Sequence, residues 1–200
     1  MKIKHKNLEL VRANPSDAKV LLSENYPGGK NMTRCWDRAI AVYHKENSLE
    51  KAILYLQSQC LNFANSKKNR DRTENLILKL IDYDRSYTQL KFLPEKVQGR
   101  LNMDIEHNNY LSGEIYRVDK TIDGYAITLM LRQDKIWQNE LRFPLLQRFY
   151  SDKLKCPINA IRIGVYNYEK GMHEYTSYDE STLTSAWEEM VIISQSVSAA

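Results

Sequence analysis

Four cations stand close together in the stretch SKKNRDR, residues 66–72: Lys67, Lys68, Arg70 and Arg72, with Asp71 the one acid among them. Clustered positive charge can contact nucleic-acid phosphates, which demand little geometry beyond proximity. The same run also fits a solvated loop ahead of a helix. A second basic face is offered by Arg142, Arg148, Lys153 and Lys155 in ELRFPLLQRFYSDKLK, where Arg142 has Glu140 or Glu114 as alternative ion-pair partners. Other chemistry finds less support. His5, His44, His107 and His173 share no H-x₃-H or C-x-x-H spacing, so no zinc site is predicted. Cys35, Cys60 and Cys156 make no CxxC pair, and an odd count without pattern reads as reduced, buried thiols. GxSxG is absent, and Pro27-Gly28-Gly29-Lys30 lacks the frame of a phosphate loop and reads as a plain turn.

The elements that would position these groups change character half-way along the chain. Before Pro94 the apolar period is helical. Pro15-Ser16-Asp17 offers a helix start before AKVLL, and Tyr26-Pro27-Gly28-Gly29 ends that element. TRCWDRAIAVYHK places Trp36, Ile40 and Tyr43 on one face. Ser48 can cap LEKAILYLQSQCLNF, with Leu49, Ile53, Leu56 and Cys60 as its stripe. TENLILKLIDYDRSYTQL continues with Leu76, Leu80, Tyr83 and Tyr87 in register. After Pro94 the period becomes alternating. VQGRLNMDIEH, YLSGEIYRVD and GYAITLMLR read as an antiparallel meander, with Asp123-Gly124 as its hairpin signal. A crossover helix follows, with Pro144 tolerable only in its first turn. AIRIGVYNYE is a further strand and GMHEYTSYD another, before a last helix STLTSAWEEMVIIS and a ragged polar tail. This order predicts an α/β (α+β) protein: a central mixed sheet with an antiparallel meander flanked by helices, its helical N-terminal part at 1–95 and its sheet domain at 96–200.

Composition bounds the partners. The 29 Lys and Arg against 25 Asp and Glu give a net charge of +4, which permits nucleic-acid binding without requiring it. Thirteen tyrosines against four phenylalanines favour half-buried positions and interfaces, where the ring is covered and the hydroxyl stays wet. No apolar run approaches the roughly 20 residues that span a bilayer, and the N-terminus carries no secretory pattern. A cytoplasmic protein without a membrane partner is predicted.

The element order and several local phrases resemble the RecB-type exonuclease branch of the PD-(D/E)XK nuclease superfamily. The phrases are Gly113-Glu114-Ile115-Tyr116-Arg117-Val118-Asp119 for the strand G-x-I-D-R-V-D, and Ala126–Gln133 for the strand V-I-D-Y-K-T-G. Leu141-Arg142-Phe143-Pro144-Leu145-Leu146 is similar to the helix phrase with its active-site glutamine, and GVYNYEKG to the strand that follows. The resemblance covers about residues 70–175 and implies a restriction-endonuclease-like fold. Carried over position by position, it puts Tyr116 in place of the metal-binding aspartate, Leu129 in place of the second acid, Leu131 in place of the lysine and Arg142 in place of the glutamine. A nuclease of this kind needs carboxylates to hold Mg²⁺ against the scissile phosphate and a lysine to offset transition-state charge. Alternate residues of a strand share a face, so the expected cleft wall reads Ile127, Leu129, Leu131, which is no place for a metal ion.

The expectation is therefore a chain without catalytic residues or cofactor. It would act in a DNA- or RNA-processing assembly by binding nucleic acid, through Lys67, Lys68, Arg70, Arg72, Arg142 and Arg148, or by binding a protein. The alternative is a Mg- or Mn-dependent nuclease whose acids have moved, with Glu114, Asp119, Asp134 and Lys135 as the candidates.

Overall fold

The computed structural model of the chain describes residues 2–15, 31–106 and 109–199. The helix expected after Pro15, the turn at 26–30 and His107 lie outside the described residues. Six strands make one open mixed sheet: β1 (Lys2–Lys4), β2 (Leu93–Ile105), β3 (Asn109–Lys120), β4 (Tyr125–Leu131), β5 (Ile161–Asn167) and β6 (Met172–Thr176). β2, β3 and β4 form the expected antiparallel meander. β4 and β5 are parallel and joined through a crossover helix, and β6 returns antiparallel to β5. β1 pairs in parallel with the start of β3, Lys2 opposite Tyr110 and Lys4 opposite Ser112. Since β2 lines one edge of β3 along nearly its whole length, β1 and β4 share the other edge. Residues 113–116 of β3 lie between them.

Among the described residues, six α-helices flank the sheet: α1 (Leu8–Ala13), α2 (Met32–Glu46), α3 (Leu49–Cys60), α4 (Lys67–Thr88), α5 (Arg142–Leu154) and α6 (Glu180–Ala199). The starts of α2, α3 and α4 are capped by side chains. The Asn31 side chain accepts from Thr33 N–H at 2.9 Å, Ser48 from Lys51 N–H and Ser66 from Asn69 N–H, each at 3.2 Å. The cap at Ser66 takes the whole basic run into α4, where a loop was expected. Pro94 lies inside β2, not at the close of the helical half. The tail after Ser194 is helical rather than ragged, because Val197 is fully buried and Ser194 bonds Asn109 Nδ2 at 2.7 Å.

Two apolar layers result. Ile127, Leu129 and Leu131 of β4 and Ile161, Ile163 and Val165 of β5 pack with α5, α6 and the N-terminal residues Ile3, Leu8 and Val11. The opposite layer joins α2, α3 and α4 to Tyr116 of β3 and Tyr166 of β5. Strict alternation fails in β3. Ile115 and Val118 both belong to the first layer, whereas Tyr116 packs in the second and the contacts of Arg117 lie there too. The connection between β3 and β4 spans four residues, closed by Thr121 N–H to Gly124 O at 2.9 Å, so it is longer than a two-residue turn. Glycine is required at 124 by close approach: a Cβ there would lie 1.9 Å from Ala160 O.

Candidate functional site

The four positions carried over from the nuclease pattern do not meet in one cleft. Tyr116 is buried against the helical layer, 6.2 Å from the ring of Tyr83. Leu129 and Leu131 point the other way, into the closed layer under α5 and α6. The expected open wall of Ile127, Leu129 and Leu131 is packed interior, because residues of β4 alternate faces and both faces are covered. The β4 residues on the side of Tyr116 are Thr128 and Met130. On either face YAITLML supplies no acid and no lysine. Arg142 sits at the start of α5, buried, with Nε 2.7 Å from Glu140 Oε2 and Nη1 3.4 Å from Nδ1 of His5. Of its two possible partners, Glu140 is the one engaged.

The acids and lysine considered as relocated catalytic groups are dispersed. Glu114 is exposed. Asp119 is fully buried and already held by Arg117. Asp134 is bonded to Lys170 Nζ and Asn167 Nδ2, each at 2.9 Å, which holds its pKa down. Lys135 reaches Glu140 at 2.5 Å. Among the described residues, no three His, Cys, Asp or Glu side chains lie close enough to hold a metal ion. The donors at these positions do not fit Mg²⁺ or Mn²⁺, which require converging oxygens.

What fills the interior beside Tyr116 is a polar network that sequence reasoning missed. Arg117, without solvent exposure, directs Nε to both carboxylate oxygens of Asp119 at 2.6 and 2.7 Å. Its Nη1 donates to the hydroxyl of Tyr83, and Nη2 lies 3.3 Å from both His173 Nε2 and Tyr175 Oη. Tyr175 Oη is 2.7 Å from Thr128 Oγ1, and Tyr83 Oη is 2.7 Å from His44 Nε2. Tyr87 donates to Asp119 Oδ1 at 3.3 Å and stacks under the Arg117 guanidinium, 4.2 Å from Cζ to the ring centroid. Burial raises the Asp119 pKa, an effect that Arg117 only partly offsets. Burial, reinforced by Arg117, lowers His44 to about 3 and His173 to about 2, so both rings are neutral. Neutral imidazoles beside a buried cation serve as hydrogen-bond partners. The tyrosine surplus was the signal for it. Tyr83 and Tyr87 are spaced for one helix face, and Arg117 and Asp119 for one strand face.

A second buried group ties the N-terminus down. His5 inserts against Gly113, in the gap on β3 between β1 and β4, and its Nε2 lies 3.0 Å from Glu114 O. Burial lowers its pKa to about 4, and Arg142 adds to the effect. Glu9 accepts from Leu141 N–H at 2.7 Å, and Arg12 bonds Glu189 at 2.6 and 2.9 Å. Among the thiols only Cys60 is buried, while Cys35 and Cys156 are half-buried, and all three are free.

The basic run is fully on the surface. Lys67, Lys68, Arg70 and Arg72 are exposed on the first turns of α4. No acid lies in the first turn of that helix, so these cations add to the positive end of its dipole. Arg142 is buried and ion-paired, whereas Arg148 lies over the Trp187 ring at 5.1 Å and Lys153 over Phe149 at 5.3 Å. The second basic face therefore loses Arg142 to the interior.

No family model matches the sequence, and no curated protein matches it. A solved structure described as "Crystal structure of SSO0001" is 9% identical, over 93% of this chain and 86% of that chain, with a TM-score of 0.29. Among the described residues, no helix is long and apolar enough to cross a membrane.

Proposed function

We propose that this chain is a nuclease-like protein that has lost catalysis and acts by binding nucleic acid within a DNA- or RNA-processing assembly. One observation carries the non-catalytic part: β4 offers neither carboxylate nor lysine on either face, and the buried acid nearest to it in the sheet, Asp119, is committed to Arg117. Phosphoryl-group hydrolysis by metal ions needs acids free to take the metal. The binding part is supported by the exposed cations on the first turns of α4, where helix dipole and side chains have the same sign.

The reading is tested by titrating the chain against labelled single- and double-stranded DNA and RNA, with and without Mg²⁺ and Mn²⁺. Salt-sensitive binding without cleavage is the expected result, weakened by joint substitution of Lys67, Lys68, Arg70 and Arg72 with Gln. Metal-dependent cleavage that Asp119→Asn abolishes would overturn it and assign the chemistry to relocated acids.

A further inference from the structure

The carboxyl ends of the parallel strands β4 and β5 meet α4 at a corner that holds two buried hydrogen-bond donors without acceptors. Arg132 follows β4 and Tyr168 follows β5, and the two strand ends are tied by Tyr168 N–H to Leu131 O at 2.9 Å. The Arg132 guanidinium lies over both Trp36 and Tyr168, at 5.5 and 5.1 Å from their ring centroids. Its Nη2 donates to Asp37, but its Nη1 is buried without an acceptor. Trp36, with no solvent exposure, likewise has its Nε1 without an acceptor. A buried donor left unpaired is unfavourable, and such groups in folded proteins ordinarily find a partner.

Positive charge leads to this corner along α4. Residues 68, 72 and 79 fall within about 40° of one another around a helix and span about 16 Å along it. Lys68 and Arg72 are exposed, and among the described residues no ion pair engages either. Lys79 sits over Tyr168 at 5.5 Å and gives its hydrogen bond to the Glu169 carbonyl, which leaves its charge unneutralised. Burial raises the Tyr168 hydroxyl pKa, and the positive charges of Arg132 and Arg72 act against that. Asp37 is the one carboxylate bonded to Arg132. In open α/β sheets, ligands collect outside the carboxyl ends of parallel strands.

We propose that this corner binds the phosphodiester backbone of a nucleic-acid strand, with Lys68, Arg72 and Lys79 following the backbone and Arg132 turning from Asp37 to a phosphate oxygen. The inference rests on the nucleic-acid reading above and extends it from the first turns of α4 to the strand ends. A phosphate supplies an acceptor where two buried donors, Arg132 Nη1 and Trp36 Nε1, have none, and the Arg132 side chain is partly exposed, so it can move without unpacking the interior.

The test uses the full chain and a labelled 20-nucleotide strand, free inorganic phosphate being titrated separately. Affinity is read by fluorescence anisotropy at several salt concentrations, and the indole N–H signals by ¹H–¹⁵N spectra. Arg72→Gln with Lys79→Gln should weaken binding about tenfold or more and lower the salt slope by about 1.4, roughly 0.7 for each phosphate contact on a single strand. Lys2→Gln with Lys4→Gln, both exposed on β1, should change neither. The Trp36 indole signal should move on adding the strand, while that of Trp137, whose Nε1 already donates to Glu174 at 2.9 Å, stays in place. Wild-type affinity in the Arg72/Lys79 variant, or an unmoved Trp36 signal in the bound state, overturns this site and leaves the nucleic-acid reading standing. Failure of the unmodified chain to bind any strand overturns both. Movement of Trp36 with inorganic phosphate but not with the strand assigns the corner to free phosphate and overturns the backbone proposal.

Discussion

Arg117 is the side chain whose removal should cost this fold most. Its guanidinium neutralises Asp119 in a two-oxygen contact at 2.6 and 2.7 Å, with neither side chain exposed. Arg117→Met keeps most of the stem but leaves a carboxylate buried, with Tyr87 as its one remaining side-chain donor. It also removes the donor that Tyr83, Tyr175 and His173 share. Breaking one side of a buried pair typically costs about 3–5 kcal/mol. Against a total stability of about 5–15 kcal/mol for a domain, that is about a fifth or more. Arg117→Met with Asp119→Leu removes both charges together. It should recover much of the loss, with a coupling of about 2 kcal/mol or more between the sites. Urea unfolding followed by circular dichroism gives all four corners of the cycle, and a constant m-value licenses the comparison. The effect should also be insensitive to salt, since the pair is shielded from mobile ions. A loss under about 1 kcal/mol in Arg117→Met, or a double variant as unstable as the sum of the singles, would refute the assignment of this pair as the anchor of the layer.

Three further outcomes follow from particular contacts. His44 and His173 are neutral in the fold, at about 3 and 2, against 6.5 when unperturbed. The unfolded chain therefore binds the extra protons. Stability is whole above about pH 6.5 and falls as pH drops from there toward 3, by about 1–1.5 kcal/mol per pH unit for the pair after discounting their partial exposure. Urea midpoints at pH 7.5, 6 and 5 check this, and a flat profile contradicts it. Leu129→Asp with Leu131→Lys writes the acid and lysine of the nuclease pattern back at the positions assigned from sequence. Both face the closed apolar layer, so the variant should unfold rather than bind metal; calorimetric Mg²⁺ uptake by a folded variant would show the register to be misread. Gly113→Ala would set a Cβ 2.1 Å from Cδ2 of His5 and should cost about 1–3 kcal/mol by displacing the ring. His5→Ala with Gly113→Ala should then be less destabilised than the two singles combined.

The sequence was most readable where one physical rule governed. Trp36, Ile40 and Tyr43 on α2, and Leu76, Leu80, Tyr83 and Tyr87 on α4, are spaced for a buried helix face and are all buried. The meander and the crossover to β5 follow from period and turn chemistry alone. Legibility ended where long-range contacts override local pattern. MKIKHKNLEL looks like a charged terminus, yet Ile3 is buried because β3 offers its free edge to so short a strand. The break in β3 defeated the assignment of faces. Tyr116 and Leu129 stand at the two acid positions of the resemblance, which must converge in a nuclease, and a two-residue period cannot foresee that Ile115 and Val118 turn to one side while Tyr116 turns to the other. Arg117 and Asp119 were framing residues of a motif in the sequence. Only the packing of α4 against β3 makes them the centre of a network.

The stitching of the N-terminus has a kinetic side. β1 completes itself only by finding Tyr110 to Ser112, and Arg12 reaches a carboxylate 177 positions away. Contacts this distant in sequence require loop closure before they contribute any binding energy, and they slow folding. During synthesis the first strand has no partner until β3 has emerged, and Arg12 has only Glu9 until α6 has emerged. The helical layer of α2, α3 and α4 is local by comparison and can assemble while the rest is still being made. The chain's earliest residues are thus its last to settle, locking a sheet that the middle of the sequence has already laid down.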